Sequence, residues 1–227
     1  TESTGIIAVQ RVDRPRWGFV GEPIPNVEVK IAKYGEILAR GPGVFKGYYK
    51  DSGLTAETIK DGWLHTGDVG AMDNGFLKIL DRKKDILITA GGKNITPAFI
   101  ENKLKFSPYI KEAVIFGDKR EFVSALINID PIVVGKWAEY RGISYTTFMD
   151  LSAKPEVAEL VHQEVIDVNQ RAEKEHFRIK RYAILYKLLD MDDGELTKTG
   201  KIRRKFVLEK YQHLYDALYD EGVAEKE

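Results

Sequence analysis

Cysteine is missing from all 227 residues. That one absence excludes a disulfide framework, a cysteine nucleophile, a thiolate zinc ribbon and an iron–sulfur cluster, and it is compatible with a reducing cytoplasm. Net charge is missing too. The 35 Lys and Arg balance the 35 Asp and Glu, so no global field draws the chain to nucleic acid or to an anionic membrane. No apolar run approaches the roughly 20 residues that span a bilayer, and the opening TESTGIIAVQ lacks the charged-then-apolar order of a secretory signal. With no initiator Met, and with a polar turn leading straight into a strand-like run, the sequence reads as a piece of a longer protein. Histidine is scarce: His65, His162, His176 and His213 show no HxxxH pairing and no nearby carboxylate constellation, which argues against a metal site. The absence of GxSxG argues against an elbow-type hydrolase.

What is present divides into two styles. The first 80 or so residues are rich in Gly, Pro and short β-type runs: IIAVQRV, VEVKIA, EILARG and, after the turn MDNG, FLKIL. Short strands punctuated by turn residues predict a small antiparallel β-barrel or sandwich. ITAGGKNI reads as a hairpin or tight turn. The pattern then becomes mixed α/β: Pro97 opens a helix, KEAVIFGD and FVSALINID read as strands, and Pro155 stands at a first helical position. From there Val157, Leu160, Val161, Val165, Val168 and Ala172 recur at three and four residue steps, one buried helical stripe. YAILYKLL reads as a strand, DMDDGELTKTGK as a polar loop, IRRKFVLEKYQHLYDALY as one closing helix and DEGVAEKE as a frayed tail. The shift falls near the charged run Asp81 to Asp85, an exposed linker by its composition, and places a domain boundary there.

Several motifs fail on spacing. Gly41, Gly43 and Gly47 are one residue too long for a dinucleotide fingerprint, and the run from Gly194 to Lys201 holds one residue too many between its glycines for a phosphate loop, with Ile202 where Ser or Thr should bind magnesium. Asn94, Ile95 and Thr96 spell a glycosylation sequon, which without a secretory route is chance. Four polar stretches remain: Thr1 and Glu2, HTGD at 65–68, DRKKDILITAGGKN at 81–94, and LTKTGKIRRK at 196–205. Singly they have ordinary readings. Asp68 can cap a turn, DRKKD can be a solvated linker, and KIRRK can be a basic helix start or a phosphate-binding patch for nucleic acid.

In this order they carry a resemblance. DGWLHTGDVGAMDNGFLKILDRKKDILITAGGKNITPAFIE, followed by LTKTGKIRRK, is similar to the adenylate-forming enzymes: acyl-CoA synthetases, luciferases and nonribosomal peptide adenylation domains. TAGGKN and a long helical insertion around 131–175 look most like long-chain fatty acyl-CoA synthetases, including the bubblegum-like group. The resemblance implies the last β-barrel subdomain of a mostly absent N-terminal domain over residues 1–80, a hinge over 81–86, and a mobile α+β C-terminal lid domain over 87–227. The glycine-rich ATP loop and most of the acid tunnel would lie upstream, so the piece alone is expected to be inactive.

The resemblance also implies a reaction, ligation of a long-chain fatty acid to CoA through an acyl-AMP intermediate, with ATP, Mg2+ and CoA as the small molecules. Thr1 would contact phosphate and Glu2 would help hold magnesium. Asp68 would accept hydrogen bonds from both ribose hydroxyls, with Arg82 near ribose and phosphate. Lys84 would be the hinge residue; as a bare residue it is also a plain linker lysine. Gly91, Gly92, Lys93 and Asn94 would line the CoA site, although Asn94 stands where many relatives place Arg or Gln and Phe99 where Glu is frequent. Lys201 would bridge the acid carboxylate and the α-phosphate. The partners implied are fatty acid, ATP, CoA and the rest of the same chain, without nucleic acid, in a cytoplasmic setting with peripheral membrane contact as a further expectation. Other readings compatible with these residues are a ligase for shorter or aromatic acids, an adenylation domain that loads a carrier protein, and a non-catalytic binding module retaining the fold.

Overall fold

A computed structural model describes residues 1–220. The chain divides into two compact units, Thr1–Ile86 and a second from Leu87 onward. All but Asp220 of the tail DEGVAEKE lies outside the described residues.

The first unit is built on antiparallel pairing. β1 (Ala8–Val9) pairs with β2 (Glu22–Pro23), so only two residues of IIAVQRV are strand. A five-stranded sheet follows: β3 (Glu28–Ile31), β4 (Glu36–Arg40), β5 (Ile59–Lys60), β6 (Trp63–Asp73) and β7 (Phe76–Arg82), with α1 (Ser52–Thr58) leading into β5. The Asp51 carboxylate caps α1 by accepting the Leu54 N–H at 2.9 Å. The eleven residues of β6 allow it to pair with β4, β5 and β7 in turn. Asn74 (φ 49°) and Gly75 (φ 85°) close β6 onto β7, the two positive φ values that a two-residue hairpin of right-handed twist requires. The antiparallel sheet is as expected; among the described residues no strand pairing closes it into a barrel.

The second unit starts with the hairpin of β8 (Leu87–Ile88) and β9 (Asn94–Ile95), then α2 (Pro97–Leu104). Its sheet has the order β10 (Ile110–Phe116), β11 (Val123–Ile129) and β12 (Ile179–Ile184), antiparallel then parallel. A parallel neighbour needs a crossover, and α3 (Pro131–Tyr140), α4 (Phe148–Ser152) and α5 (Pro155–Gln170) provide it. Two helices close the unit, α6 (Arg204–Lys210) and α7 (Gln212–Tyr219).

All seven residues of β11 are buried, because both sheet faces are covered. Alternate residues sort the two cores. Ala113, Ile115, Ala125 and Ile127 join Ile100 and Leu104 of α2 and Val157, Val161 and Val165 of α5. Val114, Phe116 and Leu126 join Val207, Tyr211, Tyr215 and Leu218. The α5 stripe is the one its spacing predicts, except that the helix ends before Ala172. The single closing helix is not formed. Tyr211, 1% exposed, leaves helical geometry (φ −106°, ψ 27°) between α6 and α7, and its hydroxyl donates to Glu195 at 2.7 Å. A buried phenol that must reach a buried carboxylate outweighs helical continuity at that point.

Candidate functional site

HTGD is a bulge. Between Glu36 and Leu38 β4 advances two residues, while β6 takes four, from Val69 back to His65, so Thr66, Gly67 and Asp68 stand out of the β4–β6 ladder. Gly67 turns with φ +70°, the left-handed region that glycine enters without strain. The Thr66 hydroxyl donates to the Ile37 carbonyl (2.7 Å) and accepts the Asp68 N–H (3.1 Å). Asp68 faces Arg82 across β7, with Arg82 Nε 2.9 Å from Asp68 Oδ1. The pair is well exposed on the Arg82 side, at 56%, and less so at Asp68, at 27%.

Beneath the bulge lies a carboxylate that the sequence reading took for an ordinary strand residue. Glu36, 6% exposed, accepts Lys83 Nζ at 2.9 Å and the Gly67 N–H at 3.3 Å, and contacts His65 Nδ1 at 3.1 Å. Burial pushes its carboxyl up, but the bonds from Lys83 and then His65 outweigh this and leave it below the usual carboxylate value. DRKKD is therefore not a free linker: Asp81 and Arg82 belong to β7, Lys83 holds Glu36, and Lys84 sits exposed in the 3-10 turn Lys83–Asp85.

At the start of the chain the Tyr48 hydroxyl donates to Glu2 Oε1 at 2.9 Å, and the Glu2 carbonyl accepts the Phe45 N–H at 2.8 Å. A bond to its own backbone, then the Tyr48 bond, hold the Glu2 carboxyl below its ordinary value. Thr1 is exposed beside it.

In the second unit, Gly91 to Asn94 turn tightly around Thr89, which accepts Gly92 N–H on its carbonyl (2.9 Å) and Lys93 N–H on its hydroxyl (3.0 Å). The Ala90 N–H donates to the Arg120 carbonyl at 2.9 Å, and the Ile88 carbonyl accepts the Lys119 N–H at 2.7 Å, so the turn is tied to the β10–β11 loop. A Cβ on Gly92 would meet open space, but φ +71° disfavours any side chain there.

Lys201 lies on a second small hairpin. Leu196 bridges Ile202, the Thr197 N–H donates to the Lys201 carbonyl (2.8 Å), and the Arg203 N–H donates to the Glu195 carbonyl (2.9 Å). Glu195 is fully buried and accepts Lys210 (2.9 Å), Lys187 (3.1 Å), the Tyr211 hydroxyl (2.7 Å) and the Asp190 N–H (2.7 Å). Burial raises its carboxyl, yet these bonds leave it below the ordinary value. The arginines of KIRRK have internal partners: Arg203 donates to the Gly194 carbonyl (3.0 Å), and Arg204 to Glu101 and the Ile115 carbonyl (2.9 Å).

The model of the family described as AMP-binding enzyme C-terminal domain matches residues 84–223. The chain belongs to this family.

Among relatives of the chain, long-chain-fatty-acid–CoA ligase FadD15 of Mycobacterium bovis is 38% identical over 222 residues, 97% of the chain and 37% of the relative. The peroxisomal long chain acyl-CoA synthetase 7 of Arabidopsis thaliana is 34% identical over 242 residues, covering 99% and 35%. The chain thus spans a little over a third of the length of these curated relatives. In fold it is similar to the adenylation domain of a carboxylate reductase from Mycobacterium chelonae (TM-score 0.66, 21% identity, 89% of this chain and 32% of that one). It is similar also to O-succinylbenzoate coenzyme A synthetase from Bacillus subtilis in complex with AMP (0.61, 24%, 90% and 38%).

Glu36 and Glu195 are the residues that sequence reasoning missed. Glu36 left a signal, an acid opening a strand whose next three residues are buried; Glu195, inside a polar loop, left none. Glu36→Ala is expected to lower stability by about 2 kcal/mol, the scale of stranding hydrogen-bonded charge partners, read by urea denaturation. Because the folded carboxyl titrates below its unfolded value of about 4.3, its contribution is complete above that pH and fades as pH falls through the lowered value. The difference between wild type and Glu36→Ala should therefore shrink on acidification; a difference independent of pH would contradict the ionised role.

Proposed function

We propose that the chain is the C-terminal portion of an ATP-dependent long-chain acyl-CoA ligase. The observation that carries the reading is 38% identity to a long-chain-fatty-acid–CoA ligase across 97% of the chain. In the reaction, a carboxylate oxygen attacks the α-phosphorus of ATP to form acyl-AMP and release pyrophosphate. The CoA sulfur then attacks the acyl carbon and expels AMP.

Each accessible polar group suits one part of that reaction. Asp68 offers two acceptor oxygens, a match for paired ribose hydroxyls, and Arg82, 2.9 Å away, orients it while leaving its own guanidinium reachable by phosphate. Thr1 is the phosphate contact. Glu2 suits magnesium as a single ligand: it is ionised, Tyr48 engages one oxygen, and Mg2+ favours one or two carboxylates with phosphates and water. When bound, the ion would neutralise phosphate charge. No group of three or more metal-ligating side chains occurs among the described residues.

Lys201, with no carboxylate partner among the described residues, is available to bridge acid and α-phosphate. Lys84, exposed in its short turn and with no carboxylate partner among the described residues, serves as the hinge about which the second unit turns between half-reactions. Gly91 and Gly92 admit the thiol arm of CoA at close range. Burial, then the charges of Lys174 and Lys93, depress His176 beside the Asn94 backbone, and that positive edge suits the CoA phosphates. No helix among the described residues is long and apolar enough to cross a membrane; a cytoplasmic setting with peripheral membrane contact completes the proposal.

The test is acid-dependent pyrophosphate release by the full-length enzyme, from acetate to long-chain and aromatic acids, with and without CoA. Release favouring long acids with a CoA-dependent thioester is expected. Release with none, from intact folded protein, would overturn the proposal in favour of a non-catalytic module. The 227 residues alone should release no pyrophosphate, since the sequence holds no phosphate loop.

A further inference from the structure

Lys201 is exposed, and among the described residues no carboxylate steers its ammonium. A lysine side chain of this freedom reaches a defined point only if its own backbone is fixed. One residue supplies most of that fixing. The Thr197 N–H donates to the Lys201 carbonyl (2.8 Å), the Thr197 hydroxyl accepts the Lys201 N–H (3.0 Å), and the Thr197 carbonyl accepts the Gly200 N–H (2.8 Å). The hydroxyl also lies 3.0 Å from that of Thr199. Gly200, at φ +73°, makes the turn between them.

We propose that Thr197 is the positioning residue that sets the Lys201 ammonium for adenylation, acting through the hydrogen bond from the Lys201 N–H to its hydroxyl. This rests on the reading of Lys201 given above. Two of the three bonds use the Thr197 backbone and survive any side-chain change; the third does not. Thr197→Val keeps the shape and removes the acceptor, leaving the Lys201 N–H against a methyl group. Thr197→Ser keeps the acceptor. Acting through Lys201 and not on a substrate, Thr197 would place the loss in kcat of adenylation, with KM for ATP and acid nearly unchanged.

The experiment compares Thr197→Val, Thr197→Ser and Lys201→Ala in the full-length enzyme. It measures adenylation by acid-dependent pyrophosphate release, thioester formation from supplied acyl-adenylate and CoA, and thermal unfolding. Thr197→Val should slow adenylation about 3- to 10-fold, the scale of one hydrogen bond, with thioester formation and unfolding temperature unchanged and Thr197→Ser restoring the rate. Normal adenylation by Thr197→Val beside a slow Lys201→Ala would overturn the Thr197 role alone. A parallel fall of both half-reactions with a lower unfolding temperature would make Thr197 a structural residue only. If Lys201→Ala adenylates normally, the reading of Lys201 fails and takes this proposal with it.

Discussion

Lys201→Ala in the full-length enzyme is expected to slow adenylation about 100-fold or more, while thioester formation from supplied acyl-adenylate and CoA stays near the wild-type rate. The magnitude is that of losing one preorganised donor aimed at developing charge. The asymmetry follows from the chemistry. In the proposed reaction negative charge gathers on the α-phosphate as the acid oxygen arrives, and an ammonium can follow it, while the thioester step would proceed with the lysine elsewhere. Nothing in the fold depends on the side chain, which is exposed and has no carboxylate partner among the described residues, so stability should not move. Pyrophosphate exchange, acyl-transfer assays and a melting curve separate the possibilities: equal loss in both half-reactions, or in neither, would contradict the assignment.

Glu195→Ala is expected to act on the fold. The carboxylate is fully buried, and its removal strands the Tyr211 hydroxyl and the Asp190 N–H while leaving Lys187 and Lys210 with Asp193 alone. Removing one member of a buried charged cluster costs about 3 to 5 kcal/mol. The two lysines remain 29% and 34% exposed, so water relieves part of this and about 3 kcal/mol is expected. That corresponds to a fall of about 10 °C in unfolding temperature for a domain of this size.

The pH dependence has a definite sign. Glu195 titrates lower in the folded chain than unfolded, so its stabilisation is complete above about 4.3, the unfolded value, and disappears as pH falls through the folded value. Wild type should lose stability in that window and Glu195→Ala should lose less. Equal unfolding temperatures at neutral pH would remove Glu195 from the account of what holds the Lys201 hairpin.

The Pro155 helix was legible because its information is local: a proline at the first turn and apolar residues at helical steps state both its start and its buried face. The same reasoning failed for the closing helix, where the tie that breaks it joins Tyr211 to Glu195, sixteen residues away. HTGD shows the division most clearly. The resemblance implied a nucleotide-binding carboxylate there, but nothing in those four letters indicated that Glu36, 31 positions before Gly67, braces the bulge from below.

By itself, then, the sequence determined the family, the order of its polar motifs, the antiparallel start, the mixed sheet after it, and the helical stripe of α5. The family rests on the resemblance that the ordered motifs carry; short-range periodicity and residue chemistry carry the rest. The tertiary structure alone decided that the first sheet stays open among the described residues and that Asp81 and Arg82 of DRKKD are strand while the other three form a 3-10 turn. It also decided that Arg204 fastens to Glu101 and that two buried carboxylates, Glu36 and Glu195, hold the half-buried Asp68 and exposed Lys201 segments. The reason is physical: a buried charge is tolerated only where partners from distant segments meet it, and such meetings have no period in the chain.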